Sequence, residues 1–463
     1  MAREKLEDKH FDVIIIGGGI VGAGIFRDLC LHKKKTLLLD KNDFNSQTSS
    51  GSSKMLHGGI RYLENLDFAL VFEALLEKNK WLKLAPHITK EIPFYLPVYQ
   101  NSKWPLFFMR MGLFLYDLLS LFKNTSHKVF SAQKTQTLLP GINSKGLKGS
   151  GLYYDGIVDD HKLGLECVYD GLNHFDQSIA HNYKEVYKVS KTREGKYTVF
   201  FQDTLTGKKD LAYTTNIVVA TGPFTDQMMH LIDVPWENII YPSKGSHLWL
   251  KKDALPISDA LVMQTADKRV VFIIPQREAI LVGTTEIPVP AQSDFNDLKP
   301  TPQEVSYLLE QVNIYFPEAK VSFDHIMSSF AAVRPLVKDG HSSSKISRNH
   351  KIYNPQKKMW VIAGGKYTTF RKMAEDLNKK LFAKNDWSYD KKKSSLPFSQ
   401  VSVIAHPFRQ KIQPQDIDDI LQKELVRTQE DLVLRRLSLQ TLDHLNDPVI
   451  IDYIEKLPLQ TIR

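Results

Sequence analysis

The stretch FDVIIIGGGIVGAGIFRDLCLHKKKTLLLD, residues 11–40, contains the pattern from which the fold can be predicted. It begins with a short apolar run rich in β-branched residues, which is typical of a strand buried on both faces. AGIFRDLCLH, residues 23–32, has helical apolar spacing, and TLLL, residues 36–39, predicts a second buried strand. A strand, a helix and a second strand in this order predict a βαβ unit with parallel strands.

The turn between the first strand and the helix satisfies the pattern G-x-G-x-x-G with Gly17, Gly19 and Gly22. The first glycine permits a tight turn, the second lets a pyrophosphate approach the backbone, and the third lets the helix pack close to the strand. The helix N-terminus then faces the phosphates. Asp40 ends the second strand, where a carboxylate can accept from ribose hydroxyls. The sequence therefore predicts a dinucleotide site, with an acid that argues against NADP but leaves NAD and FAD open.

Composition limits the class of protein. With 463 residues, of which 42% are hydrophobic and 24% charged, we expect a soluble globular protein of two or three domains. The two cysteines, Cys30 and Cys167, show no CxxC spacing, so neither a disulfide framework nor a zinc site is predicted. This cysteine usage favours a cytoplasmic location, and the N-terminal residues do not fit a signal peptide.

The formal net charge of +9 is compatible with several partners. The lysines are dispersed and no nucleic-acid-binding motif accompanies them, so nucleic acid is not predicted as a partner. An anionic substrate, an anionic membrane surface and a merely basic solvated surface all remain consistent with the charge.

A hydroxyl-rich loop, KNDFNSQTSSGSSK at residues 41–54, follows Asp40. A nicotinamide dehydrogenase usually continues with another βα repeat at this point, so the loop favours FAD. Gly58 and Gly59 further along allow close approach to a flat ring. A solvated Ser/Thr loop is the alternative interpretation. The side chains that could donate to phosphate and ribityl oxygens, or add positive charge there, are Thr48, Ser49, Ser52, Ser53 and Lys54.

Several motifs, taken together, resemble those of the FAD-dependent glycerol-3-phosphate dehydrogenases of the aerobic bacterial type. They occur in that family's order between residues 11 and 371, which is most of the chain. The motifs are TSSGSSKMLHGGIRYLE (48–64), GLYYDGIVDD (151–160), NIVVATGPFTD (216–226), KGSH (244–247), VVFIIPQREAILVGTT (270–285), AVRPL (332–336), ISR (346–348) and GGKYTTFR (364–371).

The resemblance implies an α/β (α+β) fold like that of D-amino-acid oxidase, with a Rossmann-type FAD-binding domain. That domain is expected to consist of residues 10–75, 150–227 and 340–390. An interleaved antiparallel-sheet substrate domain would take 76–149 and 228–339, and a small C-terminal helical cap would take 391–463.

The resemblance also implies a second glycine turn at the cofactor. The apolar residues WVIA at 360–363 meet Gly364 and Gly365, and a predicted helix follows at 368–382. The N-terminus of this helix would face the electron-rich edge of a reduced flavin. Cofactor contacts are expected from Gly222, Gly364, Gly365, Lys366 and Thr368.

The reaction implied by the resemblance is oxidation of sn-glycerol 3-phosphate to dihydroxyacetone phosphate. A hydride leaves C2 for flavin N5 while a base takes the hydroxyl proton. Arg334 is the first candidate for holding the phosphate, because a guanidinium offers a bidentate fork. Arg61 and Arg348 are possible partners, with Tyr62 as a hydroxyl donor, although Arg348 could equally pair with an acid and Tyr62 could be packing.

His57 and His247 are both candidates for the base, since the pKa of histidine suits proton abstraction near neutrality. Lys244 and Lys366 are expected to hold charge near the flavin or the substrate. A lysine is an alternative base if neighbouring cations depress its pKa. The sequence does not decide among them.

The family passes its electrons to a membrane quinone. The segment that could contact a membrane is residues 103–123, KWPLFFMRMGLFLYDLLSLFK. Arg110 and Asp117 disfavour a transmembrane span, and we expect a buried helix rather than one dipped into a bilayer surface. Peripheral attachment to the cytoplasmic face of the inner membrane is a hypothesis, and a homodimer is left open. The alternative functions are an oxidase of the same architecture and a non-enzymatic flavoprotein that binds a partner or a tRNA.

Overall fold

The computed structural model describes residues 9–276, 278–296, 298–338, 346–347, 349–399, 402–403, 412–439 and 448–459. The strands are β1 (His10–Ile16), β2 (Thr36–Leu39), β3 (Met55–Leu56), β4 (Thr89–Tyr99), β5 (Lys128–Ser131), β6 (Leu147–Val158), β7 (Ile179–His181), β8 (Lys184–Lys191), β9 (Tyr197–Asp203), β10 (Lys209–Val219), β11 (Ile240–Lys251), β12 (Ala260–Gln264), β13 (Val270–Gln276), β14 (Ala279–Gly283), β15 (Ile287–Pro288), β16 (Ile326–Lys338), β17 (Ile346–Ser347), β18 (His350–Gln356) and β19 (Met359–Gly364).

The α-helices are α1 (Ile20–Leu31), α2 (Phe68–Leu84), α3 (Leu106–Leu119), α4 (Ala132–Leu138), α5 (Asp160–His174), α6 (Thr225–Leu231), α7 (Pro302–Tyr315), α8 (Phe370–Ala383), α9 (Pro414–Lys423) and α10 (Pro448–Glu455). Short 3₁₀ turns include Ile60–Asn65, Gly222–Phe224 and Tyr367–Thr369, and Asp431–Arg436 forms a π-helix.

The first sheet has the strand order β18-β19-β10-β1-β2-β7, with the hairpin β8–β9 attached to β10. Strands β19, β10, β1, β2 and β7 are parallel, as the βαβ pattern predicts. Val13 and Ile15 pack into a core shared with α1, α5 and α8. Ile14 and Ile16 pack into a second core on the opposite face, which includes residues of β8 and β9. The unbroken apolar run of β1 is therefore explained by burial on both faces.

The second sheet has the order β17-β16-β11-β14-β13-β12-β4-β6-β3 and is antiparallel apart from the pair β4–β12. Leu308 and Val312 of α7 pack on one face. Leu75 of α2 and Tyr116 of α3 pack on the other. The predicted α/β (α+β) fold with a Rossmann-type domain and an interleaved antiparallel sheet is confirmed.

One predicted domain boundary falls inside a strand. Residue 150 lies in β6, which pairs with β4, β5 and β3 of the second sheet. By sheet membership, the second cofactor-domain segment begins after Val158. The sequence of β6 is apolar enough for either sheet, so its hydrophobicity could not indicate which sheet it joins. Strand β3, within the predicted segment 10–75, and β17, within 340–390, also pair in the second sheet, and the domain boundaries otherwise stay predictions.

The C-terminal helices form a small unit with a core of their own. Ile417 and Ile420 of α9, Leu432 of the π-helix, and Ile450 and Ile454 of α10 pack together. This agrees with the predicted helical cap.

The expected burial of the helix at 103–123 is wrong. Leu113, Tyr116 and Asp117 of α3 are buried, but the opposite side of the helix is exposed. The buried side packs against α2 and β6, whereas Phe107, Phe108, Met111, Phe114 and Leu118 are exposed. Within the described residues, no helix combines the length and hydrophobicity needed to cross a bilayer.

Candidate active site

A cavity of about 540 Å³ is lined by residues from both sheets. From the first sheet come the carboxyl ends of β1, β2 and β19, together with the residues after β10. From the second sheet come residues of β11 and β16. Ligands of open parallel sheets bind at the carboxyl ends of the strands, so the position fits the predicted dinucleotide site. Gly19 and Gly365, which lie far apart in sequence, both line this cavity.

The first glycine turn leaves no room for side chains. Gly17 has φ +103°, and a Cβ there would lie 2.6 Å from the carbonyl oxygen of Ala220. A Cβ on Gly22 would lie 1.9 Å from the carbonyl oxygen of Gly17. Gly22 is not part of the cavity wall, and it acts by letting α1 approach β1, as the pattern predicts.

Asp40 lines the cavity at the end of β2. Its Oδ2 accepts a hydrogen bond from the backbone N–H of Gly18 at 2.6 Å, and its Oδ1 accepts from that of Asn42 at 2.9 Å. Burial raises the pKa of this carboxyl to about 6, although both hydrogen bonds oppose the shift. The carboxylate is therefore held in place before any ribose reaches it.

The hydroxyl-rich loop contributes differently from the prediction. Thr48 donates to the carbonyl oxygen of Val333 at 2.7 Å, and Ser52 donates to Asp160 at 2.6 Å. These hydroxyls line the cavity but donate their hydrogens to the protein. Ser49 Oγ instead accepts from the backbone N–H of Ile20 at 2.8 Å, which leaves its own hydrogen to donate. Ser49 is thus the hydroxyl best suited to a phosphate at the start of α1.

The predicted role of Lys54 in the cofactor contact is a second difference. Its side chain is buried outside the cavity wall, with Nζ 2.5 Å from Asp160 Oδ1 and 2.6 Å from the carbonyl oxygen of Ser50. Burial raises the pKa of Asp160 to about 6, and Lys54 opposes that shift. The lysine therefore holds the loop to the start of α5 and does not face a phosphate.

The remaining cavity wall fits FAD. Gly364 and Gly365 have φ values of +77° and +84°, and a Cβ on Gly222, which also lines the wall, would meet none of the described atoms within 4 Å. The Thr221 hydroxyl and the Asn45 amide, also in the wall, are buried with no hydrogen-bond partner among the described residues. Open backbone turns and unpaired polar atoms along one groove are what an extended dinucleotide requires.

Arg334 reaches the cavity from β16, opposite Ser243 of β11. One terminal nitrogen of its guanidinium donates to Thr284 Oγ1 at 2.9 Å, and the other donates to the carbonyl oxygen of Thr285 at 3.4 Å. A Cβ on Gly245 would lie 2.6 Å from Arg334 Nη2, so the glycine of the KGSH motif lets the arginine cross β11. The fork is thereby oriented before a substrate arrives.

His247 lies in the same wall and is 2% exposed. Its Nε2 is 2.9 Å from Ser53 Oγ, and its ring stacks on Phe330 with centroids 4.8 Å apart. Nδ1 is buried and has no hydrogen-bond partner within the described part of the chain. Burial, followed by the charges of Arg334 and Lys54, lowers the pKa of His247 well below 6.5, so the imidazole is neutral at physiological pH.

The other predicted substrate-end residues divide into two groups. Tyr62, Lys366, His57 and Thr368 line the cavity. Lys366 Nζ lies 3.9 Å from the centroid of the Tyr62 ring, and Thr368 Oγ1 accepts from the backbone N–H of His57 at 3.1 Å. Arg61 is outside the wall, with its guanidinium 5.9 Å from the Tyr62 ring.

The structure does not bring Lys244 into the cavity. Its Nζ pairs with Glu304 Oε2 at 2.7 Å and donates to the carbonyl oxygen of Lys299 at 3.3 Å. Its ammonium group is thus held by a carboxylate and a carbonyl oxygen outside the cavity wall, and this position does not support the predicted role at the substrate. Arg348 lies outside the described residues.

Sequence reasoning missed several contributors. Thr284 lies in the quoted GTT motif and Thr221 precedes Gly222, so a closer look at those motifs could have found both. Phe330 and Asn45 carry no local signal. They are placed by the register of β16 on β11 and by the path of the loop after Asp40, neither of which the sequence reveals.

Comparison with known proteins agrees with the geometry. The model of the FAD dependent oxidoreductase family matches residues 12–369. A glycerol-3-phosphate dehydrogenase from Synechocystis sp. is 34% identical, over 82% of this chain and 71% of the relative. The aerobic glycerol-3-phosphate dehydrogenase of Bacillus subtilis is 32% identical, over 80% and 66% respectively. The human mitochondrial glycerol-3-phosphate dehydrogenase is 33% identical, over 79% and 52%. The chain thus spans between about half and 71% of the length of these relatives.

Solved structures show the same fold. A glycerol-3-phosphate dehydrogenase from Bacillus halodurans complexed with FAD superposes with a TM-score of 0.77 at 23% identity, covering 97% of this chain and 91% of the other. An L-α-glycerophosphate oxidase from Mycoplasma pneumoniae with FAD bound gives 0.65 at 17% identity, covering 84% and 98%. The cavity geometry, the family match and these relatives together show that the chain belongs to the glycerol-3-phosphate dehydrogenase family of FAD-dependent oxidoreductases.

Proposed function

We propose that the chain oxidises sn-glycerol 3-phosphate to dihydroxyacetone phosphate. The names of the curated relatives support the substrate. The single observation that carries the proposal is that an oriented arginine, Arg334, and a buried neutral histidine, His247, line the same cavity as the glycine turns suited to FAD. FAD, when bound there, supplies the hydride acceptor.

Arg334 would hold the substrate phosphate. A guanidinium fork matches two phosphate oxygens, and such charge-assisted pairs are roughly twice as strong as neutral hydrogen bonds. The contacts from Thr284 and Thr285 fix the fork in one orientation, which reduces the ordering needed on binding.

His247 would take the proton from the C2 hydroxyl as the hydride leaves. It is neutral because its pKa is lowered, so it can accept a proton without first losing one. A dianionic substrate bound at Arg334 would oppose the effect of that arginine and make the imidazole more basic in the complex. Ser53, at 2.9 Å from Nε2, fixes the ring, and stacking on Phe330 prevents it from turning. Of the two histidine candidates, His247 has the stronger support from burial and contacts.

The test is anaerobic reduction of the FAD-loaded protein by glycerol 3-phosphate, followed as loss of flavin absorbance. Arg334→Ala should raise the substrate concentration for half-maximal reduction by about 100-fold, the equivalent of one or two charge-assisted hydrogen bonds. Arg269→Ala is the matched control, because Arg269 pairs with Asp267 at 3.1 Å in the turn between β12 and β13 and lies outside the cavity. An unchanged half-maximal concentration for Arg334→Ala would remove the phosphate assignment.

We further propose that the electrons pass to a quinone at a membrane surface, and that α3 holds the protein there. The apolar face of α3, defined as Phe107, Met111, Phe114 and Leu118, has the i, i+4, i+7, i+11 spacing of one helix side. Between 47% and 68% of each of these side chains is exposed. A soluble protein rarely exposes such a contiguous patch unless it binds something there.

The charges beside this face indicate what it contacts. Lys103 and Lys123 lie at the two ends of the helix, and Arg110 lies on its exposed side. An amphipathic helix with cations beside an aromatic face suits the surface of a bilayer that contains anionic lipids, and a bilayer also dissolves the quinone.

Vesicle sedimentation tests this attachment. The FAD-loaded protein should bind vesicles of phosphatidylcholine with phosphatidylglycerol at low salt, and Phe107→Ser with Phe114→Ser should abolish binding without changing anaerobic flavin reduction. If the unaltered protein does not sediment with these vesicles, the membrane proposal is wrong. If it reduces oxygen to peroxide as fast as it reduces a soluble quinone analogue, it is an oxidase and the quinone assignment falls.

A further inference from the structure

The C-terminal segment 424–438 contributes no residue to the cavity wall. It does bind the loop after β2, and that loop lines the cavity. The link is Asp43, a 1% exposed residue in the loop after β2. Asn182 Nδ2 donates to Asp43 Oδ1 at 2.9 Å, and Arg435 Nε donates to Oδ2 at 2.7 Å. The guanidinium of Arg436 donates to both carboxylate oxygens. Asp43 therefore has an unusually complete set of donors for a residue outside the cavity wall.

Both arginines are buried, like the carboxylate, and are fixed on their other sides. Arg435 and Arg436 are 5% and 1% exposed. Arg435 Nη2 donates to Asp431 Oδ1 at 2.6 Å, and Arg436 donates from Nε and Nη2 to the carbonyl oxygen of Glu424 at 3.1 and 2.8 Å. Burial alone would raise the pKa of Asp43, but Arg436 and Arg435 lower it to about 2. The cluster is thus ionised and rigid.

The loop that Asp43 anchors packs directly against the glycine turn at residues 17–22. The Phe44 ring lies so close beneath Gly18 that a Cβ there would be 2.4 Å from it. The backbone N–H of Asn45 donates to the Gly18 carbonyl at 3.1 Å, and the Gly18 N–H donates to Asp40 at 2.6 Å. Asp40 and Asn45 both line the cavity. A shift at Asp43 would therefore move Asp40, Asn45 and the glycine turn together.

We propose that Arg435 and Arg436 are positioning residues for the dinucleotide part of FAD. By fixing Asp43 they hold residues 40–46 and the glycine turn in the geometry that receives the ribose and pyrophosphate. The C-terminal helical unit is then part of the cofactor-binding apparatus, although it does not touch the cofactor. The inference rests on the FAD dependence of the family and not on the identity of the substrate, so it can fail or hold separately from the proposed reaction.

The experiment compares two arginines of the same segment. Arg436→Met removes a donor pair from Asp43. Arg427→Met removes a contact of similar kind, because Arg427 Nη1 lies 2.8 Å from Asp203 Oδ2 and ties the segment to the end of β9 without touching Asp43. Each apoprotein is titrated with FAD by flavin fluorescence, and its unfolding midpoint in urea is measured without FAD. Neither readout uses the substrate.

We expect Arg436→Met to raise the Kd for FAD by about tenfold or more, equivalent to a coupling of about 1.4 kcal/mol. Arg427→Met should lower the unfolding midpoint but leave the Kd within about twofold, a difference of a few tenths of a kcal/mol. Equal Kd changes in the two variants, or none in Arg436→Met, would reduce the arginine cluster to a structural ion pair and overturn the proposal.

A second measurement needs no variant, which matters if Arg436→Met fails to fold. Coupling between two sites is reciprocal, so FAD binding must stabilise the segment that favours it. Amide hydrogen exchange of residues 424–438 should slow when FAD is added to the unaltered apoprotein, while exchange in α7 should not change. Unaltered exchange in 424–438 at saturating FAD would contradict the proposal by itself.

Discussion

At its nucleotide end the cavity wall includes the backbone of several glycines, whereas at its substrate end the functional groups are projecting side chains. Gly17, Gly19 and Gly222 present main-chain atoms to the groove, and Gly17 has no space for a Cβ. Arg334 and His247 at the other end project from neighbouring antiparallel strands and are held by hydrogen bonds and stacking. The two ends should therefore respond differently to substitution.

The two ends should respond differently because a backbone wall and a side-chain wall accommodate a substitution in different ways. A backbone wall cannot rotate out of the way, so an added methyl group displaces a whole turn. A side-chain wall loses one interaction at a time, and its neighbours remain in place. We expect changes at the nucleotide end to abolish cofactor binding, and changes at the substrate end to lower rate or affinity while FAD stays bound.

The largest effect is expected at Gly22. Gly22→Val should yield protein that does not retain FAD, because even a Cβ at this position lies 1.9 Å from the Gly17 carbonyl oxygen and must push α1 away from β1. The flavin absorbance of the purified protein measures this directly. Gly112→Ala is the control, since a Cβ on that glycine of α3 meets no atom of the described residues within 4 Å. If Gly22→Val binds FAD normally, the packing of α1 on β1 is more tolerant than the geometry indicates.

The next largest effect separates the two histidines. His247→Ala should lower the rate of flavin reduction by about 10²- to 10⁴-fold, the range for loss of a general base, with FAD still bound. His57→Ala should lower it much less, because the backbone N–H of His57 still donates to Thr368 Oγ1, and its carbonyl oxygen still accepts from that hydroxyl, after the substitution. Rapid-mixing anaerobic reduction measures both rates. The reverse order would make His57 the base.

These two ends also differ in how well the sequence predicts them. Gly17, Gly22 and Asp40 lie within one βαβ unit, so their spacing alone specifies their geometry. At the substrate end, the cavity positions of Arg334 and His247 agree with the motifs that suggested them. The predictions for Lys54 and Lys244 miss because their partners, Asp160 and Glu304, lie far along the chain. A local motif shows that a cation is present but not which carboxylate has already neutralised it.

Lys244 tests that explanation, and its effect should fall on stability and not on rate. Burial would raise the pKa of Glu304, but Lys244 and the hydrogen bonds around it lower the pKa to about 2 from the usual 4.5. The stabilisation from this depressed pKa is fully present above pH 4.5 and is lost as the pH falls towards 2. Lys244→Met should therefore cost about 3 kcal/mol in the free energy of unfolding at neutral pH, the usual result of breaking a buried pair.

Urea unfolding measures this cost at neutral pH and at about pH 3. The lower pH lies between the pKa of about 2 for the folded Glu304 carboxyl and its ordinary value of 4.5. The destabilisation by Lys244→Met should shrink in acid, since Glu304 then needs its partner less. Lys244→Met combined with Glu304→Gln should recover part of the loss, because no buried charge remains unpaired. A large loss of reduction rate with unchanged stability would instead return Lys244 to the active site.

The smallest expected effect is a change in the pH dependence of flavin reduction. It would show that the charge of Arg334 acts on His247. A protonated His247 cannot accept a proton, so the rate of flavin reduction should fall in acid only at a pH below 6.5, the ordinary pKa of histidine. Burial is the main cause of the lowered pKa, and Arg334 is the next. Arg334→Met removes that cation but leaves the burial, so the acid limb should move to higher pH. Single-turnover reduction at substrate concentrations well below saturation, across about pH 5 to 8, gives the limb for the free protein, and Arg269→Met, outside the cavity, should not move it. A limb that stays in place or moves to lower pH would mean that Arg334 and His247 do not act on the same substrate.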